Sequence, residues 1–292
     1  MAEKFKSAKK RRIAQKVAVY CILVVLSFFF LIPLYNMVAK SFMSVQESIS
    51  RPPTWFPSSF KFSNYTKVFE QIGTTNGISY LIVYLINTGK IMILAIPATI
   101  FTSCFVAYGF AKINFKGKNI AFMILLSGTM ISGSVTMIPS YIIWVKLGLH
   151  NTNVPLWIGA WFGGGIMNVF LVRQFMTTIP YVLNESATIE GAGHFRIFFS
   201  IILPNCRPIM ATLFVGTFLA LWNDFTGPLI YLKDKWEWTL AMGVARFGLD
   251  GETGGINYLM AACTLMTILP VCMFLFGQKF FIDSIVLSGM KE

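Results

Sequence analysis

The sequence is poor in charged residues. Only 12% of its 292 residues are Asp, Glu, Lys or Arg, whereas soluble domains contain about 25%. Hydrophobic residues make up 55% of the chain, and the mean hydropathy is +0.66. This composition excludes an ordinary soluble globular domain, so we divide the chain into apolar spans of about 20 residues instead.

Signatures of a catalytic or metal centre are also missing. The two histidines, His150 and His194, fall in different predicted loops, and there is no H-E-x-x-H motif. No phosphate-binding loop occurs, because the glycines at 163–165 lack a following Lys and Gly117-Lys118 is followed by Asn. The five cysteines form no C-x-x-C pair and are best read as small apolar residues. We therefore expect no catalytic residues, no metal site and no cofactor in this chain.

Acidic residues are outnumbered two to one, with 12 Asp and Glu against 24 Lys and Arg and a net charge of +12. An excess of this size is compatible with nucleic-acid binding. However, the basic clusters lie beside the apolar runs, and no basic stripe interleaved with aromatics occurs in a polar stretch. We therefore assign the charge to the membrane surface and predict no nucleic-acid partner.

Long apolar runs predict an all-α polytopic membrane protein with six transmembrane helices. The runs cover approximately residues 17–39, 87–111, 119–145, 154–176, 208–232 and 258–281. Continuous runs favour helices over a β-barrel, whose strands alternate over about ten residues. The first run is too long for the apolar region of a signal peptide, so we expect an uncleaved first helix.

The distribution of basic residues predicts the orientation. Seven of them precede the first run, and 15 of the 24 lie at the N-terminus, at residues 112–118 and 173–207, and near the C-terminus. Because basic loops stay in the cytoplasm, we expect both termini on the cytoplasmic side of a bacterial cell membrane.

Several apolar runs contain helix breakers. Gly163, Gly164 and Gly165 interrupt the fourth run, and Pro139 and Pro270 lie in or near the third and sixth. Such breaks are tolerated where neighbouring helices or a water-filled path satisfy the freed backbone groups. Ordinary packing and a role in a substrate path are both open. The external stretch 40–86 is rich in proline and aromatics, which predicts an irregular interfacial or partner surface.

Residues 177–207, TTIPYVLNESATIEGAGHFRIFFSIILPNCR, form the most informative loop. The pattern predicts a short helix, a break and an amphipathic helix on the cytoplasmic side. We expect Asn184 to cap a helix that begins at Glu185. Gly191 and Gly193 would supply the break, and Pro204 would end the second helix. Periodicity alone fits an inert connector as well as a docking element.

The motif in this loop resembles a family signature. Glu185-Ser186-Ala187, then Gly191, then Ile202-Leu203-Pro204 matches the E-A-A signature of ABC importer permeases in spacing, with Ser186 as the one departure. The surrounding segments FLVRQFMTTIP, LWNDFTGPLIYL, AYGFAKINFKGKN and QKFFIDSIVLSGMKE are similar to parts of the second permease subunit of the maltose-permease type. The resemblance covers nearly the whole chain.

The resemblance implies a heterodimer with a second permease, a pair of cytoplasmic ATPase subunits, and an external or periplasmic solute-binding protein that delivers a sugar or oligosaccharide. ATP and Mg would belong to the partner ATPase. The helix at Glu185 would be the coupling helix, with its carboxylate paired to a basic ATPase residue. Ala187 would permit close contact, Gly191 the turn, and Pro204 the exit to the fifth span.

The apolar runs and the resemblance together imply a domain organisation. It comprises a basic cytoplasmic N-terminus at 1–16, a first helix at 17–39 and an external loop at 40–86. A core permease domain at 87–282 contains the coupling loop 177–207, and a C-terminal tail at 283–292 reaches the ATPases.

Asp224 is the only acidic residue that we place inside a predicted span. Together with Trp222 and Asn223 it could contact a sugar in the translocation path, or it could be a structural hydrogen-bond hub. Three rival functions stay open: a non-sugar ABC permease, a membrane scaffold, and an ion-coupled carrier. The flanking segments argue against the first, the scaffold leaves the coupling loop unexplained, and the carrier would need more intramembrane ionisable groups.

Overall fold

Helices account for nearly all of the regular structure, as the continuous apolar runs predicted. A computed structural model describes residues 2–75, 77–249 and 255–289, and describes side chains within residues 15–75, 77–248 and 255–277. The fold class is confirmed as an all-α membrane protein. The chain divides into a small unit, residues 1–71 with 250–267, and a large unit, residues 72–249 with 268–292.

The small unit is dominated by helix α1, Ala2–Ser41, which is followed by α2, Val45–Ser48, and α3, Ser63–Gln71. Its predicted span at 17–39 lies inside α1, and the side chains from Val17 to Leu31 are exposed. A helix that is apolar on all sides suits contact with lipid. The first residues of α15, Ile256–Gly289, belong to this unit too.

The proline-rich residues 51–62 contain no helix or strand, as predicted, but α3 follows them and is held in place by buried contacts. The Asn64 side chain donates from Nδ2 to the carbonyls of Ser41 and Met43, each at 2.8 Å. The Phe42 ring contacts Phe60 at 5.6 Å and Tyr65 at 5.3 Å between centroids. A buried amide that satisfies two chain carbonyls holds α3 against the end of α1.

The large unit begins with a small hairpin and a long helix. Strands β1, Thr74–Thr75, and β2, Ile78–Ser79, pair antiparallel with Thr75 opposite Ile78. Helix α4, Tyr80–Lys112, follows directly because the Ser79 hydroxyl accepts from the Leu81 N–H and caps it. The helix starts seven residues before the predicted second span.

The remaining helices of the large unit are shorter. The first of them are α5 (Lys118–Ser127), a 3-10 turn (Gly128–Met130), α6 (Gly133–Lys146), α7 (Val154–Trp157), a 3-10 turn (Ile158–Trp161) and α8 (Ile166–Thr178). They are followed by α9 (Val182–Ile189), α10 (His194–Ile197), a π turn (Phe198–Ile202) and α11 (Leu203–Asn205). The last are α12 (Arg207–Trp222), α13 (Thr226–Tyr231) and α14 (Leu240–Leu249).

Four stretches of the described chain are long and apolar enough to cross a membrane. They are Gln15–Ser41, Tyr80–Lys112, Val154–Thr178 and Ile256–Gly277. The count reaches six if two bent helix pairs are each one span: Lys118–Met130 with Gly133–Lys146, bent by 94°, and His194–Asn205 with Arg207–Trp222, bent by 75°.

Two of the predicted spans are therefore wrong as continuous helices. The span at 119–145 breaks where Ile131 is extended and the Ser132 hydroxyl accepts from the Ser134 N–H to begin a new helix. The span at 208–232 ends at Trp222.

The predicted tail at 283–292 begins within α15. The side chains of this tail and its last three residues lie outside the described residues, as do the side chains of residues 1–14.

The core of the large unit is built on α4, which packs against α8, α12 and α14. Its central cluster of buried side chains is Cys104, Ala107, Tyr108, Val169, Val172, Met176, Ile179, Ala187, Ile197, Phe198, Ile202, Cys206 and Leu213. Members of this cluster come from α4, α8, the predicted coupling loop and α12, so that loop is part of the core. All five cysteines of the chain are free.

The glycine break in the fourth span has a packing reason. Gly164 has φ +66°, and a Cβ there would lie 2.5 Å from the Thr99 carbonyl of α4 and would collide with the Ser103 hydroxyl. Thr102 of α4 donates to the carbonyl of Ala160 at 2.9 Å and so satisfies a group that the break frees. Close packing therefore accounts for Gly164.

Candidate functional site

Helix α9 of the predicted coupling loop begins at Val182, after Pro180, rather than at Glu185. The Asn184 N–H bonds to the Tyr181 carbonyl at 2.8 Å, so this residue is already helical and its side chain is buried. The prediction that Asn184 caps the helix is wrong because the turn at Pro180 starts the helix earlier. Glu185 still lies in the first turn, where the helix dipole favours a carboxylate.

The end of α9 explains the glycine of the motif. Gly191 has φ +80°, its N–H bonds to the Thr188 carbonyl at 3.0 Å, and the Ala192 N–H bonds to the Ala187 carbonyl at 2.9 Å. These two bonds form a Schellman motif, whose left-handed position favours glycine. Gly191 therefore ends the helix sharply, as predicted, whereas Gly193 is extended, with φ −74° and ψ 163°.

The motif is divided between the two faces of α9. Ala187 is buried in the core cluster, where a larger side chain would not fit without rearrangement. Glu185 and Ser186 are exposed on the opposite face, and the Ser186 hydroxyl donates to the Leu183 carbonyl at 3.3 Å. Ile189 is 87% exposed beside them. The outer face thus combines carboxylate and apolar groups that the chain itself does not cover.

Lys112, at the end of α4, anchors the start of this loop. Its Nζ donates to the Ile179 carbonyl at 2.7 Å and lies 5.9 Å from the centre of the Tyr181 ring, and the residue is buried. A buried ammonium is costly unless it is bonded in this way. Sequence reasoning counted Lys112 only as a basic loop residue. Its position directly after an apolar run was the one available signal.

The second half of the loop lies on α4 through aromatic rings. Phe198 is fully buried, with ring centroids 5.6 Å from Phe105 and 5.2 Å from Tyr108. The Phe199 ring is stacked on Phe101 at 6.2 Å. Edge-to-face and offset rings at these distances stabilise packing beyond the area that they bury.

Pro204 does not end this helix, contrary to the prediction. The helical run continues to Asn205, and the turn into α12 occurs at Cys206, whose N–H bonds to the carbonyls of Ile202 and Leu203. A proline lacks the N–H of the usual helical bond and crowds the preceding turn. Here a π turn at Phe198–Ile202 directly precedes α11, and the helical run bends at such an irregularity rather than stopping at the proline.

Trp222, Asn223 and Asp224 lie where α12 ends and before α13 begins, so the prediction that one continuous helix contains all three is wrong. Trp222 is buried and stacked on Phe218 at 5.7 Å. The exposed Asn223 donates from Nδ2 to the Leu219 carbonyl at 2.9 Å. Asp224 accepts the Gly227 N–H at 3.0 Å through Oδ1. The three side chains therefore point to different partners, and Asp224 organises the break before α13.

Breaks in neighbouring spans lie side by side. A Cβ on Gly128, in the third span, would lie 2.6 Å from Cδ1 of Ile166, which begins α8 in the fourth. Met130 and Phe162, at the two breaks, are 87% and 83% exposed. Irregular backbone at membrane depth is stable only where it is buried in protein or lines a cavity. These breaks are a candidate wall of a path. The sequence analysis left that role open for the glycines at 163–165, whereas the break near Met130 was not predicted.

Comparison with known proteins identifies the family. A model of the family described as binding-protein-dependent transport system inner membrane component matches residues 91–285.

Among the described side chains, no group of three or more His, Cys, Asp and Glu could hold a metal ion.

Two curated relatives are similar over nearly the whole chain. The arabinooligosaccharides transport system permease protein of Halalkalibacterium halodurans is 30% identical, with 91% of this chain and 93% of that protein covered. The melibiose/raffinose/stachyose import permease protein of Bacillus subtilis is 31% identical, with 89% and 91% covered.

A solved structure has the same fold. It is the crystal structure of a bacterial ABC transporter involved in the import of the acidic polysaccharide alginate, with TM-score 0.75, 19% identity, and coverage of 91% of this chain and 96% of that one. The family model spans more than half of the chain, and a relative at 31% identity covers most of it. The chain therefore belongs to the family of binding-protein-dependent transport system inner membrane components.

Proposed function

We propose that this chain is a permease subunit of an ATP-driven importer for a sugar or oligosaccharide. Together with a second permease it forms the translocation path. A pair of cytoplasmic ATPase subunits hydrolyses ATP with Mg, and an external solute-binding protein delivers the cargo. The observation that carries the proposal is α9, a short helix fixed to the core on one face and uncovered on the other. The printed names of the relatives support the choice of cargo.

In this function α9 is the coupling helix. Glu185 and Ser186 contact the ATPase, with the carboxylate paired to a basic residue there. A charge-assisted pair of this kind is stronger when it is desolvated at an interface. Ala187, Gly191 and Pro204 act within the permease, because they set the close packing, the sharp turn and the course of the chain towards α12.

Movement of α9 would be transmitted to the spans through three contacts. They are the Ala187 side chain in the core, the Lys112 bond to the Ile179 carbonyl at 2.7 Å, and the rings packed around Phe198. Tightly packed cores respond to displacement as units rather than by local deformation. ATP-driven approach of the two ATPases would thus rock α4 and α8, giving alternating access.

The cargo path is proposed along the breaks of the third, fourth and fifth spans. Asn223 is exposed at the end of α12, and its amide suits a sugar hydroxyl. Asp224 keeps the α12–α13 break in place, and Trp222 supports it from the buried side. The protein would lie in a bacterial cell membrane with both termini in the cytoplasm, as the basic residues predict.

The test uses the complex that co-purifies with this subunit in mild detergent. In reconstituted vesicles, Glu185→Lys should lower sugar uptake and cargo-stimulated ATP hydrolysis at least tenfold, the rate change that about 1.4 kcal/mol produces. Glu70→Lys, the same charge reversal on the exposed face of α3, is the matched control and should leave both unchanged.

Equal activity of the two variants would remove α9 from the docking role. A subunit that purifies without a second permease or an ATPase, and that supports ion-dependent flux, would replace the proposal with an ion-coupled carrier.

A further inference from the structure

An open cavity of about 600 Å³ lies where α4, α5 and α8 come together at the end that carries the coupling loop. Its polar lining includes Lys118, Arg173, Asn114 and Asn119, and no lining residue is acidic. Ligand pockets in proteins span about 300–1,000 Å³. The volume and the polar lining are therefore those of a site for a small polar group.

The two cations of this cavity come from different helices. Arg173, in α8, has its guanidinium carbon 4.1 Å from the centre of the Phe122 ring, and its Nε donates to the Phe110 carbonyl at 3.4 Å. These contacts fix the guanidinium fork in place. Lys118 is the half-buried first residue of α5. Two positive charges around one cavity repel each other, and an anion between them would relieve that repulsion.

Backbone donors add to the positive character of the cavity. Gly117, with φ +82°, is the N-cap of α5 and provides no side chain to accept the amides of the first turn. A guanidinium fork, an ammonium and the positive end of the α5 helix dipole together match the charge of a phosphate group.

An apolar surface continues from the cavity along α5. Ile120 lines the cavity, and Met123 and Ile124 follow it one turn on; all three are more than 60% exposed. A soluble phosphate would leave this surface unused. A ligand with a phosphate headgroup and acyl chains would cover both parts.

We propose that the cavity between Lys118 and Arg173 binds the phosphate headgroup of an anionic phospholipid, whose acyl chains lie along Ile120, Met123 and Ile124. The fork of Arg173 and the ammonium of Lys118 contact the phosphate oxygens. The site does not depend on the cargo or on ATP hydrolysis, so its failure would leave the proposed transport function untouched.

The test titrates phosphatidylglycerol into the delipidated complex and counts bound lipid by native mass spectrometry, with phosphatidylcholine as the zwitterionic comparison. A basic residue near a membrane surface contributes about 1 kcal/mol to binding an anionic lipid, so Lys118→Gln should weaken phosphatidylglycerol binding about fivefold. Lys118→Arg should restore it. Lys116→Gln removes the same charge two residues away, outside the cavity lining, and should have a smaller effect.

Three results would overturn the proposal. Equal binding of phosphatidylglycerol by the Lys118→Gln and Lys116→Gln variants would show that the lipid responds to the overall positive charge of this region and not to the cavity. Equal retention of phosphatidylcholine would show that the site does not select charge. Displacement of phosphatidylglycerol by millimolar inorganic phosphate would assign the cavity to a free anion instead of a lipid.

Discussion

Helices α1 and α4 are both long and apolar enough to cross a membrane, yet they differ in what covers them. In the most apolar 18 residues of α1 none is buried, whereas more than half of the corresponding part of α4 is buried within its unit. The apolar part of α1 is the more apolar of the two. The less apolar of these two segments is thus the one that lies at the core of its unit.

The difference follows from the surroundings that each helix must satisfy. Helix α4 buries Asn87, Thr88, Thr99, Ser103 and Lys112. In a membrane the lipid is as apolar as a protein core, so helices associate through close packing and polar contacts rather than through hydrophobicity. Hydropathy therefore measures compatibility with lipid and does not reveal which helix forms the core.

The largest expected effect compares two phenylalanines. Phe198→Ala removes a fully buried ring that is packed on α4, and should lower the free energy of unfolding by about 3–5 kcal/mol. Phe30→Ala, in α1, removes a ring that is 79% exposed and should change it by less than about 0.5 kcal/mol. The measurement is unfolding of the purified subunit by sodium dodecyl sulfate in mixed micelles. Similar losses would show that α1 is packed as tightly as α4.

A second comparison concerns glycines in one span. Gly164→Ala places a Cβ against the Thr99 carbonyl of α4 at a positive φ, and should cost about 3 kcal/mol through overpacking and strain. Gly159→Ala meets no atom within 4 Å and is the matched control. The same unfolding assay, with the yield of monodisperse protein, distinguishes them. A stable Gly164→Ala variant would mean that the break is not held against α4.

A buried amide should have an intermediate effect. The Asn87 side chain donates from Nδ2 to the carbonyls of Trp236 at 2.6 Å and Trp238 at 3.2 Å. Asn87→Leu leaves these two carbonyls without this donor and should lower the free energy of unfolding by about 1–3 kcal/mol. Asn223→Leu, at an exposed position, is the control and should cost under about 1 kcal/mol. Greater stability of Asn87→Leu would contradict the view that polar contacts hold α4.

The smallest effect depends on pH and lies in the small unit. The Ser58 N–H, which donates to Oε1 of Glu47 at 2.7 Å, holds the pKa of Glu47 below its usual value of 4.5, and the Ser44 N–H acts in the same direction. A lowered pKa in the folded chain stabilises it above pH 4.5, and that contribution is lost as the pH falls through the folded value.

Glu47→Gln should therefore lower Tm slightly at pH 7. The free energy of unfolding should fall by less than about 1 kcal/mol, because the carboxylate is largely solvated. The difference from the parent chain should shrink near about pH 4. Glu70→Gln, on the exposed face of α3, is the control. A difference in stability between Glu47→Gln and the parent chain that stays constant from pH 7 to pH 4 would show that the effect does not depend on ionisation of Glu47.

The predicted coupling loop shows how far a sequence pattern reaches. The spacing of Glu185, Ala187 and Gly191 predicted a helix followed by a sharp break, and the Schellman motif at Gly191 confirms the break. The start of the helix was wrong because Asn184 resembles a cap by residue type but is buried by its contacts. Docking of the exposed Glu185 on an ATPase stays a prediction.

Errors in the spans have a common cause. An apolar run continues through residues 119–145, but the bend near Ile131 depends on a local cap and on packing beside the fourth span. Likewise Asp224 lies in a run that reads as one helix, whereas its carboxylate bonds the Gly227 N–H and separates two helices. Hydropathy does not record where a helix stops.

The sequence by itself determined the membrane class, the helical architecture and the family, because these depend on composition, run length and motif spacing along the chain. The tertiary structure decided which helix is the core, where spans break, and which residues of the motif face inward. Those features depend on contacts between residues far apart in the chain, such as Lys112 with Ile179 and Gly164 with Thr99. A buried polar group is stable only where such a partner meets it.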